Sequence, residues 1–212
     1  MSRLRDRSWR DKLGLFVVEG EDLVDAAGVE PVDVLRAGED VEPALLAEAS
    51  TLAHPPRVVA VYRREDLPSG TREATLALWR VGDPGNVGTL LRTADAFGAG
   101  VALSAGCADR TGPKALRASM GSIFRVPVCD FEEAGGRRVA LLAHGGTPLA
   151  EVDLSGTVVF VLGAEREGLP DDVLARCDER ATIPVAGGAE SLNVAMAGTV
   201  ALYERARRST SA

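Results

Sequence analysis

Three short stretches of the 212-residue chain gather the side chains best suited to chemistry. "DPGNVGTLLRTADAFG" (83–98) sets the amide of Asn86 six residues before the guanidinium of Arg92. "FVLGAEREGLPDDV" (160–173) runs an apolar strand into Leu162 and Gly163, then Glu165, Gly168 and Pro170. "AESLNVAMAGTVALYE" (189–204) crowds Glu190, Ser191 and Asn193 ahead of a long apolar helix pattern. Side chains of these types can hold a polar ligand, and glycine at a strand's end lets one approach the backbone closely.

Each stretch also has a purely structural reading. Asn86 is a capping type, and Arg92 could contact a surface carboxylate. Glu165 could be exposed on a glycine-rich connection, with Pro170, Asp171 and Asp172 opening the next helix. Ser191 could cap the last helix, although Val194 leaves no capping box to close with it. Capping accounts for Ser191 and leaves Asn193, expected in the first turn of an apolar helix, without a reason. None of the three is a dinucleotide fingerprint: Gly82, Gly85 and Gly88 at the first run G-x-x-G-x-x-G, and no G-x-G-x-x-G occurs in the chain.

The elements that must position these residues alternate. In residues 1–65, "LFVVEG", "PVDVLRAG" and "RVVAVYRRE" read as strands around two short helices, a small α/β unit. The turn-rich "DLPSGTREA" (66–74) reads as a linker. Over 75–212, "TLALWRV", "GVALSAG", "RVALLAHG", "TVVFVLG" and "RATIPV" read as strands. Helix patterns follow at "VGTLLRTADAFG" (starting near Asn86 or Val87), "PKALRASMG", "PDDVLARC" and "SLNVAMAGTVALYERAR". Strands this apolar, alternating with helices, predict an α/β fold with a mostly parallel sheet covered on both faces. Ligands then bind beyond the carboxyl ends of the strands, where all three stretches lie.

Composition bounds the function class. No apolar run is long enough for a membrane span, and the N-terminus lacks an apolar signal core, so a cytoplasmic protein is expected. Cys107, Cys129 and Cys177 are too few and too scattered for a disulfide framework, and with His54 and His144 they form no metal motif, so no metal is expected. A net charge of −7 argues against whole-surface nucleic-acid binding. Arginine-rich ends (Arg3, Arg5, Arg7, Arg10 and Lys12; Arg205, Arg207 and Arg208) offer either a local phosphate footprint or a solvated helix and tail.

As a set, "NVGTLLRTADAFG", "VLGAEREGLP" and "IPVAGGAESLNVAMAGTVALYE" resemble the SpoU (TrmH-type) family of RNA ribose 2′-O-methyltransferases, within the SPOUT class. "LRASMGSIFRVPV" (116–128) is similar to the family's intermediate segment, and the resemblance runs through residues 75–208. Residues 1–65 look like the small ribosomal-protein-like RNA-binding domain that precedes the catalytic domain in many members, with "GLFVVEGEDLV" carrying the likeness.

The resemblance implies a deep C-terminal trefoil knot that binds S-adenosylmethionine, and a homodimer through the catalytic domain. The apolar side of the helix 191–207 is one candidate for that contact, and the intramolecular core is its rival. By position, Gly163, Ile183 and Leu192 would bind the cofactor through backbone groups, bordered by Leu162 and Ser191. Asn86, Arg92, Glu165, Ser191 and Asn193 match the polar active-site positions. The implied reaction moves a methyl group to a ribose 2′-hydroxyl of structured RNA, rRNA ahead of tRNA. Arg92 would act either as a base in an unusual state or as a cation stabilising the developing alkoxide, since guanidinium is normally protonated. Ala195 stands where relatives often carry Ser. Rival readings are a SPOUT-type base methyltransferase, a catalytically silent RNA-binding protein, and a nucleotide-dependent oxidoreductase that the missing fingerprint disfavours.

Overall fold

The computed structural model describes residues 2–209 apart from 53, 55 and 189. Its first part opens on α1 (Arg7–Leu13), which ends where Gly14 turns left-handed (φ 65°), and continues into β1 (Leu15–Glu19). Then come α2 (Glu21–Asp25), β2 (Asp33–Arg36), α3 (Pro43–Ala49) and β3 (Val58–Arg63). The three strands match the expected ones, but they pair antiparallel in the order β1-β3-β2.

The second part carries β4 (Ala74–Leu78), α4 (Pro84–Ala96), β5 (Gly100–Leu103), α5 (Pro113–Ser119) and β6 (Val128–Asp130). It continues through β7 (Arg137–Leu142), β8 (Thr147–Pro148), β9 (Val158–Leu162), α6 (Asp171–Leu174), β10 (Glu179–Thr182) and α7 (Val194–Ser209). The seven strands run β6-β5-β4-β9-β7-β10-β8, every pairing parallel. β6 and β8 are three and two residues long, too short for their sequence to show a period.

All five residues of central β9 are buried, as a strand covered on both faces requires. Val158, Phe160 and Leu162 join the core beneath α4 and α7, with Leu90, Leu91, Ala201 and Leu202. Val159 and Val161 face the other way, toward Phe131, Leu169 and Val173. Gly88 lets α4 cross α5 closely, since a Cβ there would lie 2.3 Å from the Ala115 carbonyl oxygen.

The two sheets are tied together more firmly than a linker suggests. Pro68 accepts a hydrogen bond from the Val128 amide, and Ser69 bridges to Val128, so the expected linker lines the edge of β6. Leu116, Ile123 and Phe124 complete the core of the small unit, with the Phe124 ring 5.1 Å from Tyr62 and 6.1 Å from Phe16. Beside this lies an ion cluster. Arg10 and Arg64 each donate to Asp109 Oδ2 at 2.8 Å, and Arg64 also reaches Asp11 at 2.6 Å.

Of the two readings open for the basic ends, a phosphate footprint or a solvated helix and tail, Arg10 fits neither. Arg10 is 5% exposed and committed to Asp109. Arg5 donates to the Glu48 and Ser50 carbonyls, Arg7 to the Cys107 carbonyl, and the Arg3 and Lys12 cations sit against the Trp9 ring. At the other end Arg208 donates to the Leu149 and Val152 carbonyls and Arg205 to Gly156, which docks α7 onto residues 149–156. Among the described residues no helix is long and apolar enough to cross a membrane.

Candidate active site

Because β4, β9, β7 and β10 are parallel neighbours, their carboxyl ends open on one edge of the sheet, where loops gather. Beyond β9 the chain folds back at once: the Gly168 amide donates to the Ala164 carbonyl at 2.9 Å, with Gly168 left-handed at φ 66°. Gly163 sits under this fold, and a Cβ on it would lie 2.3 Å from the Gly168 carbonyl carbon, so only glycine fits. The tight fold lifts Glu165, Arg166 and Glu167 into a wall. On one side of it is a cavity of about 570 Å³, lined among others by Leu142, Leu162, Gly163, Ile183, Ser191 and Leu192. On the other is a more open recess of about 620 Å³ that takes in Arg80, Asp83 and Asn86.

Asn86 owes its position to a different residue's capping. α4 begins at Pro84, two residues earlier than its apolar pattern suggests, because Asp83 accepts the Asn86 amide at 3.0 Å as the N-cap. The Asp83 carboxyl is held below the usual carboxylate range by a hydrogen bond from Lys114, then by the Asn86 amide. With its backbone so fixed, Asn86 spends its side chain across the gap: Nδ2 donates to Glu165 Oε1 at 2.7 Å, and Oδ1 accepts from Asn193 Nδ2 at 3.2 Å.

Asn193 itself is the cap of α7. Its Oδ1 accepts the amides of Ala195 (2.9 Å) and Met196 (3.4 Å), and its carbonyl accepts the Ala197 amide. This reverses the expectation that Ser191 caps the helix and that Asn193 sits inside it. The helix starts at Val194, three residues later than expected, and the Ser191 hydroxyl, bonded to no described residue, borders the cavity. One amide therefore closes the helix with its oxygen and joins the site with its nitrogen. Asn193, Asn86 and Glu165, 107 and 79 residues apart along the chain, form one hydrogen-bonded line.

Arg92 is not brought to that line. The six-residue spacing alone would let both face the same side of the helix's entry, but six residues on an α-helix turn through about 240°, so Arg92 leaves α4 on a different side from Asn86. Its side chain is exposed, borders neither space, and makes no hydrogen bond or ion pair with any described residue. The cavity also uses Leu142, which the sequence did not single out. The usable signal was its place at the carboxyl end of an apolar strand, next to the strand that carries Leu162.

The cavity suits a nucleoside-sized ligand: its volume lies in the usual range for such sites, with aliphatic walls at Leu142, Leu162 and Ile183. The main-chain groups of Ser191 and Leu192 bond to no described residue and are available to read polar edges. The cradle at Gly163, which a Cβ would fill, brings further backbone close. Adenosyl recognition by backbone groups fits these residues.

Comparison with known proteins gives the same direction. Residues 73–203 match the family model described as the SpoU rRNA Methylase family. The 23S rRNA (guanosine(2553)-2′-O)-methyltransferase RlmP of Bacillus subtilis is 31% identical over 228 residues, covering 95% of this chain and 92% of its own. The 23S rRNA (uridine(2479)-2′-O)-methyltransferase of Streptomyces viridochromogenes is 36% identical over 175 residues, covering 73% of this chain and 61% of its own. The structure of the SpoU methyltransferase AviRb from Streptomyces viridochromogenes in complex with AdoMet superposes with a TM-score of 0.87 at 28% identity, covering 99% of this chain and 96% of that one.

Proposed function

The chain belongs to the SpoU rRNA methylase family, and on that footing we propose that it methylates a ribose 2′-hydroxyl of rRNA with S-adenosylmethionine. The observation that carries this reading is the Asn193–Asn86–Glu165 line, which fixes the loop dividing a backbone-lined cavity from an open recess. The cofactor belongs in the cavity and the target nucleotide in the recess. S-adenosylmethionine, when bound, supplies an electrophilic methyl carbon whose C–S bond breaks as a C–O bond forms to the 2′-oxygen.

The chain's part in that displacement is chiefly alignment, which by itself accounts for a large share of the acceleration in such reactions. Gly163, Ile183, Leu192 and the flanking Leu162 and Ser191 hold the donor side. Glu165, kept in place by Asn86, orders the dividing loop. A guanidinium stays protonated in proteins, so the role of Arg92 is electrostatic: it holds RNA phosphate and offsets the charge that builds on oxygen as the hydroxyl proton leaves to water.

Arg92 meets a site in a homodimer. Met196, Val200 and Tyr203, spaced as one helical face, leave an exposed apolar stripe on α7, and α7 packs on α4 through the Thr93–Thr199 hydroxyl pair. A second copy seated on that stripe covers it and carries its own Arg92 to the neighbouring recess. The C-terminal chain is threaded as a trefoil knot. Supporting this, β10 is inserted between β7 and β8, and residues 143–146 pass so near it that a Cβ on Gly146 would lie 2.6 Å from Ala181 backbone. Residues 1–65 form an RNA-binding unit joined through 66–74 to the catalytic unit 75–212, and an rRNA substrate places the protein in the cytoplasm.

The test is methyl transfer from labelled S-adenosylmethionine to transcribed 23S rRNA and to tRNA transcripts, with label mapped to ribose or base. Ribose label on 23S rRNA is expected. Label confined to tRNA overturns the substrate, label on a base overturns the reaction, and bound cofactor with no transfer supports the silent RNA-binding alternative.

A further inference from the structure

Arg80 stands at the floor of the open recess in a backbone conformation that a side chain rarely adopts. Its φ is 53°, and apart from Met120 it is the only non-glycine residue with positive φ among those described. Glycine is the ordinary occupant of such a position, so an arginine there is held against a local preference. Two contacts hold it. The Ser104 hydroxyl accepts the Arg80 amide at 2.9 Å, and the side chain lies over Gly106, where a Cβ would stand 3.3 Å from Nε and 3.4 Å from Cγ.

The guanidinium so placed is exposed and forms no hydrogen bond or ion pair with any described residue. Across the recess Arg166 is likewise unpaired among the described residues. The nearby carboxylates are largely spoken for: Asp83 by Lys114 and the Asn86 amide, and Glu165 by Asn86, which leaves Glu167 as the one without a described partner. With Lys114 on Asp83, the charges at the recess balance, and Arg80 and Arg166 are its two guanidiniums without a described partner, beside the loop that borders the cofactor cavity.

Resting on the methyltransferase reading, we propose that Arg80, with Arg166 opposite, binds the phosphodiester backbone of the RNA strand next to the nucleotide being methylated. A planar guanidinium suits a phosphate's paired oxygens, and a left-handed backbone fixed by Ser104 and Gly106 presents it with little freedom left to lose. Arg80 is a substrate-positioning residue and takes no part in bond making.

Arg80→Gly is the decisive variant, because glycine accepts the left-handed backbone without strain and the fold is kept. Two measurements on the full chain with S-adenosylmethionine are needed: filter binding of transcribed 23S rRNA over a salt series, and steady-state methyl transfer. Losing one phosphate contact should flatten the slope of log affinity against log salt by about 0.7 to 0.9. It should also raise KM for RNA by about tenfold, with kcat and cofactor affinity near wild type, and Arg80→Lys should restore the slope. An unchanged slope in Arg80→Gly overturns the proposal, and so does a loss of cofactor binding along with turnover, which marks a merely structural role. Binding decides this inference even where the wild-type protein fails to methylate the transcript, and that failure counts against the proposed substrate instead.

Discussion

At the residue scale, the site turns on side chains that serve two elements at once. Asn193 closes α7 with its oxygen and reaches Asn86 with its nitrogen, so its two roles separate by substitution. Asn193→Asp keeps a capping acceptor but loses the donor to Asn86. We expect unfolding free energy to stay within about 0.5 kcal/mol of wild type, since Asp and Asn cap alike. Methyl transfer should fall about 10- to 100-fold as the dividing loop loses its anchor. Equal turnover in the two proteins would remove the amide line from the mechanism. Arg92→Ala should abolish transfer while calorimetry finds cofactor affinity unchanged, and turnover near wild type would end its assignment.

At the scale of elements, what matters is how closely backbones pass. The fold-back after β9 depends on Gly163 lying against Gly168 without a side chain between them. Gly163→Ala has to displace main chain, which costs about 1–3 kcal/mol. If that strain falls on the cofactor loop, affinity for S-adenosylmethionine drops about tenfold for each 1.4 kcal/mol. Titration calorimetry showing wild-type affinity would mean that the loop yields at no cost. Strand and helix identities were readable in the chain because apolar periodicity reports which faces are buried. Helix starts were less so. α4 and α7 begin after Asp83 and Asn193 because those side chains found amides to bond, while Asn86 and Ser191 offered themselves as caps equally well in the sequence.

At the scale of the whole molecule, the Arg10–Asp109–Arg64 cluster and the shared aromatic core lock the small unit to the catalytic one. Asp109→Ala would strand a buried Arg10 and should lower stability by about 3–5 kcal/mol in urea denaturation. A loss under about 1 kcal/mol would show the cluster to be dispensable. Burial pushes the Asp109 carboxyl up, but hydrogen bonds from Thr111 and Arg10 and the charge of Arg64 together outweigh it, so its pKa lies below the ordinary 3.8. A depressed carboxyl stabilises the fold above its unfolded pKa, and the contribution is lost as pH falls through the folded value. Stability should therefore decline on acidification below about pH 4, and Asp109→Asn should lack that part of the decline. The proposed homodimer has its own test: mixing inactive Arg92→Ala and Asn86→Ala proteins should recover about a quarter of wild-type activity if each site takes residues from two copies. No recovery would confine the site to one chain.

The sequence by itself determined the α/β class, nearly all the strands, and the three loops that supply the polar residues. Burial imposes periodicity, and close backbone approach imposes glycine, so both leave a mark on the letters. It could not determine which side chains meet. Asn86, Glu165 and Asn193 converge only because parallel strands deliver their loops to one edge, while Arg92, six residues from Asn86, is carried away by the helical turn. Nor could it tell a phosphate-binding arginine from a structural one. Arg10 looks like part of a basic tail until the fold buries it on Asp109, and Arg80 looks ordinary until its left-handed backbone and missing partner are seen. Charge is a property of residues, but whether a charge is already paired is a property of the fold.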